Sequence, residues 1–322
     1  MRRFSFFGPG DAFEDNLAAG RLTLFQQSAY AKIVTLKLQK LHPTFVAEVS
    51  PVDLRRVHDR ATLDEIHKGM DEFALLVFRD QPFADAEQLE FAQRFDGQIH
   101  ARTGAAVVGK SRLGNEALTD ISNLGETGEV MPPDDRRRMY ALGNRLWHTD
   151  ASFVDPPGRY SMLSARIVPS VPVDTEYADM RAAYDALPAQ VKAQLEGLRA
   201  HHSIAYSRQT LGFEFSEDEQ EKLKGAIHPV LRTNPRSGRR SLYVASHASR
   251  IIDWPVPEGR LLLRDLIEHA TQPQFVYRHS WRVGDFLIWD NRATMHRARP
   301  FADTKHRREL RRVTTLDIAE SG

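Results

Sequence analysis

His148 and Asp150 flank Thr149 directly after Trp147, and His296 closes the run Asp290-Asn291-Arg292-Ala293-Thr294-Met295-His296 far downstream. In an extended segment, side chains at i and i+2 point to the same face, so His148 and Asp150 can reach one ion while Thr149 turns away. A third ligand is then needed. His296, preceded by the apolar strand-like Phe286-Leu287-Ile288-Trp289, is the best remote candidate. Two histidines and one carboxylate on one face of an ion leave coordination positions open, the arrangement of non-haem Fe(II) oxygenases. A lone His-x-Asp is more often an ordinary polar pair, so the rest of the chain must carry the case.

A second chemical pattern lies in His306-Arg307-Arg308-Glu309-Leu310-Arg311-Arg312-Val313. On a strand, Arg308, Leu310 and Arg312 share one face, and four residues of rise place the two guanidiniums roughly 13 Å apart. Guanidinium groups bind carboxylates through paired hydrogen bonds, so one wall could hold two different anions. The alternatives are a surface strand with solvated arginines or a nucleic-acid patch, although the aromatics that a single-strand binder uses are absent from this strand.

The chain has 322 residues, no cysteine, and 44 Lys plus Arg against 43 Asp plus Glu. It is long enough for one large domain with a sizeable core. Near-neutrality argues against nucleic acid or an anionic membrane as a partner. Without cysteine there are no disulfides or thiolate metal sites, and His with carboxylate are the available strong ligands. The apolar stretch after Met1-Arg2-Arg3 is cut short by Gly8, Pro9 and Gly10, too early for a signal-peptide core, and no run approaches a membrane span, so a cytoplasmic protein is expected.

Residues 1–35 read as an extension without a motif, and 36–322 as a single domain. Apolar spacing predicts a helix over 62–73 running into a buried strand over 74–78, and a second helix over 85–95 with Asp85 as N-cap. Residues 100–138 turn to Gly, Asn, Pro and charge just before the proposed ligands, which makes them an active-site loop or lid, with a solvated connector as the alternative. Strands are expected over 160–167, 241–245, 274–281, 286–289 and 310–316, and helices over 180–187, 189–198 and 259–270. Many short strands with helices grouped early and in insertions favour an antiparallel barrel or sandwich with covering helices.

The stretch Leu146-Trp147-His148-Thr149-Asp150-Ala151-Ser152-Phe153, the runs 159–165 and 174–188, and then Val276-Tyr277-Arg278-His279, Trp289-Asp290-Asn291-Arg292 and Arg308-Glu309-Leu310-Arg311-Arg312 together resemble the taurine and 2,4-dichlorophenoxyacetate dioxygenases. The likeness covers about 45–317 and is nearest to the aryloxyalkanoate branch. It implies a double-stranded β-helix (jelly-roll) core, mainly β with flanking α. It also implies dependence on Fe(II), 2-oxoglutarate and O2, with ascorbate supportive.

Carried over residue by residue, the resemblance makes His148, Asp150 and His296 the iron ligands. Thr175 and Arg308 would hold the far carboxylate of 2-oxoglutarate, with Trp289 beside it. Arg312 would receive the anionic group of the primary substrate, and His202 falls in a matching stretch on the substrate side. Arg307 competes with Arg308, because the loop after His296 is one residue longer than the family pattern. Pro172-Val173 replaces a usual Gly-Gly, and 100–128 matches poorly. The implied reaction is hydroxylation beside the ether oxygen of an aryloxyacetate, giving phenol and glyoxylate with succinate and CO2. The same chemistry on taurine, an alkylsulfonate or another small acid is the alternative, and a non-catalytic binding protein of the same fold a further one. The partner expected is a small anionic molecule, with no nucleic acid or membrane, and a homo-oligomer is left open.

Overall fold

A computed structural model describes residues 35–101 and 112–318. The described residues from Leu36 onward belong to one compact unit. The extension expected over 1–35, all but its last residue, and the part of the loop over 102–111 lie outside the described residues.

Among the described residues, fifteen strands build four sheets. They are β1 (Lys37–Lys40), β2 (Ala47–Ser50), β3 (Leu75–Phe78), β4 (Thr119–Ser122), β5 (Gly158–Ile167), β6 (Thr175–Asp179), β7 (Arg199–His202), β8 (Ala226–Pro229), β9 (Leu231–Thr233), β10 (Arg240–Leu242), β11 (Ala248–Ile251), β12 (Val276–His279), β13 (Phe286–Asp290), β14 (Thr294–Ala298) and β15 (Glu309–Leu316). The major sheet runs β1-β2-β3-β13-β5-β15-β4, and a minor sheet runs β12-β6-β14. Every pairing is antiparallel except β2 with β3. This is the expected jelly-roll core.

Period-two alternation sorts the side chains of the major sheet. Leu75, Val77, Leu163, Ala165, Leu287, Trp289 and Leu310 point inward and pack with Tyr177 of the minor sheet. Their neighbours Leu76, Phe78, Tyr160, Met162, Phe286, Ile288 and Val313 face outward and meet two helices. These are α1 (Arg60–Phe73), presenting Leu63, Ile66, Met70 and Phe73, and α2 (Asp85–Asp96), presenting Phe91, Ala92 and Phe95. Because both faces of the sheet are covered, its central strands read as continuous apolar runs.

The remaining described helices are the short α3 (Arg136–Ala141), α4 (Met180–Asp185), α5 (Ala189–Leu195), α6 (Ile204–Gln209) and α7 (Glu217–Lys222), and the long α8 (Val256–Ala270). Helices α4, α5 and α8 pack with Ala178 and Met295 of the minor sheet. A satellite cluster of Tyr140, Ile204, Ala205, Phe213, Phe215 and Leu223 joins α3 and α6 to the residues that flank α7.

The structure departs from the sequence reading in several places: the strand expected over 241–245 is Arg240–Leu242, and the helix expected over 189–198 ends at Leu195. Asp85 is the first helical residue of α2 and not its cap; Ala84 holds that place, and Glu87 accepts from the Ala84 N–H at 2.7 Å. The Glu87 carboxylate satisfies the cap residue's own N–H, the half of a capping box that needs no cap side chain. The interval 100–138 is also not wholly irregular, since β4 adds an edge strand to the major sheet there.

Phe286 is fully buried with its ring centroid 4.7 Å from that of Phe83 and 5.8 Å from that of Phe91. Phe286→Ala is expected to lower unfolding free energy by about 3–5 kcal/mol through lost burial and a residual cavity. Denaturant titration measures it, and a loss below about 1 kcal/mol would mean that the α2 face contributes little.

Candidate active site

The remote ligand candidates are brought together by backbone. His148 N–H donates to His296 O at 2.9 Å and His296 N–H donates to His148 O at 2.7 Å, so a one-residue antiparallel bridge sets the two rings 4.2 Å apart between centroids. Asp150, two residues on, shares the face. Donor atoms of His148, Asp150 and His296 all lie within 4.8 Å of one another, and all three side chains are buried. Directly after Asp150, Ala151 adopts the left-handed conformation at φ 54°, which turns the chain toward β5. Gly158 closes that turn, where an added Cβ would lie 2.8 Å from the Asp150 carbonyl oxygen.

The protonation states suit a cation. His148 Nδ1 sits 2.8 Å from Leu146 O, and a carbonyl only accepts, so Nδ1 carries the hydrogen and the Nε2 lone pair is free. Burial lowers the His148 pKa to about 4 and that of His296 well below the ordinary value, so both rings are neutral near pH 7. For Asp150, burial pushes the carboxyl up, but the Arg312 guanidinium and the neighbouring rings prevail and hold it below its usual value. A charged carboxylate between two neutral imidazoles fits Fe(II).

Asn291 holds this arrangement. Its Oδ1 accepts from Asp150 N–H at 3.1 Å and from Trp289 Nε1–H at 3.0 Å, and its backbone oxygen accepts from the Thr149 hydroxyl at 2.7 Å. Its Nδ2 donates to Ser161 Oγ at 2.9 Å, and Ser161 Oγ in turn donates to Asp150 Oδ2 at 2.7 Å. Asp150 Oδ1 is taken by Arg312 Nη1. The carboxylate is thus fixed from both sides before any ion arrives.

Two compartments meet at His148 and Arg312, which line both. The smaller, about 120 Å³, is walled by Thr175, Trp289, His296 and Arg308. Arg308 is buried, and no carboxylate pairs with it among the described residues, whereas Arg307 is exposed. Burial lowers the Arg308 pKa to about 10, so the guanidinium still carries its charge at neutral pH. Thr175 Oγ1 accepts from Trp281 Nε1–H at 2.9 Å. Because an indole nitrogen only donates, the one hydroxyl hydrogen of Thr175 remains available to an acceptor in this compartment.

The larger compartment, about 440 Å³, is lined by Leu118, Met131, Tyr140, Arg208, His247 and Arg312 among others. Residues from the described part of 100–138 therefore form one of its walls. His202 is fully buried with neither ring nitrogen hydrogen-bonded, beside His228 and Tyr243, and it does not line this compartment. His247 occupies the wall instead, with Nδ1 2.9 Å from Ser207 Oγ and its ring 5.9 Å from that of His148. Sequence reasoning missed His247, Arg208, Ser161, Asn291 and Trp281 as site residues. Asn291 had a signal, a polar triplet after the apolar strand β13, but His247 and Arg208 sit in segments whose approach to the site is set by tertiary packing alone.

Comparison with known proteins gives a consistent result. Residues 37–314 match the family model described as "Taurine catabolism dioxygenase TauD, TfdA family". The chain is 46% identical over 280 residues to an alpha-ketoglutarate-dependent 2,4-dichlorophenoxyacetate dioxygenase of Cupriavidus pinatubonensis, covering 87% of this chain and 97% of that protein. It is 35% identical to an (S)-phenoxypropionate/alpha-ketoglutarate-dioxygenase of Sphingobium herbicidovorans, covering 83% and 90%. Among solved structures, AAD-2 in complex with Mn(II) and N-oxalylglycine superposes with a TM-score of 0.80 at 44% identity, covering 88% of this chain and 97% of that one.

Asn291→Ala would strip acceptors from the Asp150 amide and the Trp289 indole. Affinity for Fe(II), followed by anaerobic titration, is expected to fall about 10–100-fold, as for other changes behind a metal ligand. An unchanged affinity would mean that the backbone bridge alone positions the ligands.

Proposed function

The chain belongs to the taurine catabolism dioxygenase TauD, TfdA family and is a 2-oxoglutarate-dependent dioxygenase, and we propose that its primary substrate is an aryloxyacetate such as 2,4-dichlorophenoxyacetate. The observation that carries this reading is a buried His148–Asp150–His296 centre at the junction of two compartments of unequal size, each with an arginine on its wall. A small anionic partner and a cytoplasmic place go with it. A relative at 46% identity is named for that herbicide acid, and AAD-2 binds N-oxalylglycine, which has the skeleton of 2-oxoglutarate with N–H in place of a methylene.

In this reading His148, Asp150 and His296 hold Fe(II). Arg308 and the Thr175 hydroxyl receive the far carboxylate of 2-oxoglutarate in the narrow compartment, with Trp289 as its apolar wall. When bound, Fe(II) and 2-oxoglutarate supply an oxidation that consumes O2 and yields succinate and CO2, with ascorbate keeping the metal reduced. Arg312 spends Nη1 on Asp150 and keeps an unpartnered Nε–H, so part of its fork remains for the acid of the primary substrate. Held there, the substrate has the carbon beside its ether oxygen turned toward the centre, and the wall built from 112–141 encloses the ring. Hydroxylation of that carbon gives a hemiacetal, which collapses to a phenol and glyoxylate without further help from the protein.

The direct test supplies purified protein with Fe(II), ascorbate, O2 and 2-oxoglutarate and follows succinate and phenol. Equal amounts of phenol and succinate from 2,4-dichlorophenoxyacetate are expected. Succinate stimulated by taurine alone would overturn the substrate and keep the reaction class.

The residue roles have their own tests. Arg308→Ala is expected to raise KM for 2-oxoglutarate with little effect on KM for the acid, and Arg312→Ala to do the reverse, each by about 2–5 kcal/mol of lost binding if the partner charge is buried. Trp281→Phe is expected to raise KM for 2-oxoglutarate in the native background but to add nothing in Thr175→Val, since its effect passes through that hydroxyl. Equal costs in both backgrounds would make Trp281 only a packing residue.

A further inference from the structure

Among the described residues, four of the six buried arginines are neutralised. Arg159 pairs with Asp96, Arg181 with Asp179, Arg292 with Asp290 and Arg311 with Asp120, and the half-covered Arg312 pairs with Asp150. A charged side chain out of water is costly without such a partner. Among the described residues, two buried guanidiniums have no carboxylate within ion-pair distance, Arg308 and Arg208. Arg308 lines the small compartment and Arg208 the large one.

Arg208 is held in place by groups that do not cancel its charge. It is 3% exposed, at the C-terminal end of α6, with Nη2 donating to Asn144 Oδ1 at 3.0 Å and Nη1 to Ser207 Oγ at 3.3 Å. Its guanidinium lies 4.8 Å from the centre of the Tyr140 ring. On its other side is Gly143, where an added Cβ would fall 2.2 Å from Arg208 Cζ, so the glycine makes room for the guanidinium. Nε–H has no partner, nor has the Tyr140 hydroxyl, which is also buried and lines the same compartment. A buried cation with seated geometry and an unpartnered donor on the wall of a cavity fits an anion that binds there.

We propose that Arg208 is a second receptor for the anionic group of the primary substrate, the counterpart in the large compartment of Arg308 in the small one. Two uncompensated guanidiniums in two compartments match the two acids that the reaction consumes. Arg312 already balances Asp150, so the unbalanced positive charge that draws an acid into the larger cavity is that of Arg208. The inference rests on the reading of the large compartment as the substrate site, and it names the chemistry recognised there as a carboxylate or sulfonate oxygen group.

The test uses the Fe(II)- and 2-oxoglutarate-loaded enzyme without oxygen, so that binding is measured by calorimetry with no turnover. The probes are 2,4-dichlorophenoxyacetate and its neutral amide. Arg208→Gln is expected to weaken the acid by at least about tenfold and the amide by less than about twofold, while affinity for 2-oxoglutarate stays unchanged. Asn144→Ala, which removes the positioning hydrogen bond and leaves the charge, separates recognition from structure and is expected to retain most of the acid affinity. Equal loss of acid and amide in Arg208→Gln, or an Asn144→Ala variant that reproduces the full loss, would overturn the proposal. If the native enzyme binds taurine but neither aryloxy compound, the substrate reading falls, and the same comparison between taurine and its sulfonamide decides the role of Arg208. Binding of no acid in the panel overturns both.

Discussion

The reciprocal backbone hydrogen bonds between His148 and His296 are the constraint on which the site depends. They join a segment that leads into β5 to a strand of the minor sheet, and no side chain is spent in doing so. The three donor atoms then converge because each is fixed by its backbone: His148 and Asp150 by alternation along an extended segment, and His296 by its place in β14. Everything else near the centre refines this. Asn291 locks Asp150 and Trp289 to the same point, and Ser161 and Arg312 each take one carboxylate oxygen. Since the bridge is a main-chain feature, side-chain changes around it alter the affinity of the centre more readily than its geometry.

The major sheet serves two tasks with one alternation. Its outward residues make the core with α1 and α2, and its inward residues make the core with the minor sheet while placing Arg308 and Arg312 toward the compartments. A shift of β15 by one residue would send both arginines into the apolar layer beneath α2 and bring Val313 into the site. Gln88 of α2 opposes that shift, since its amide donates to the backbone oxygens of Met162 and Arg311 and so ties the helix to β5 and β15 together.

Much of this was legible in the sequence. The apolar runs 74–78 and 286–289 were legible as strands, and the i, i+4 spacing of Arg308 and Arg312 placed both on one side of the chain, where they line one compartment. The short strands of the minor sheet were harder. A strand was expected over 274–281, where β12 runs, but Thr175–Asp179 is only five residues long and leads straight into a helix, and no strand was read there. His202 and His247 illustrate the limit more sharply. Both are fully or nearly fully buried histidines in segments of similar composition, and only the packing of α6 against the loop before β11 decides that His247 faces the cavity while His202 stacks beside Tyr243.

The unequal compartments divide what the chain is free to change. The narrow one has Thr175 and Trp289 on strands of the two sheets and Arg308 at the head of β15, so a substitution at these three disturbs the core as well as the pocket. The wide one borrows most of its wall from an edge strand and from short helices around 112–145 and 204–209, whose own core is a small satellite cluster. Residues 120–122, 131, 141 and 144 line both compartments, so change is freest at Leu118, Tyr140 and Ile204, which line the wide one alone. One metal-binding frame can therefore serve cavities of different shape, provided that the change stays on the wall that the narrow compartment does not share.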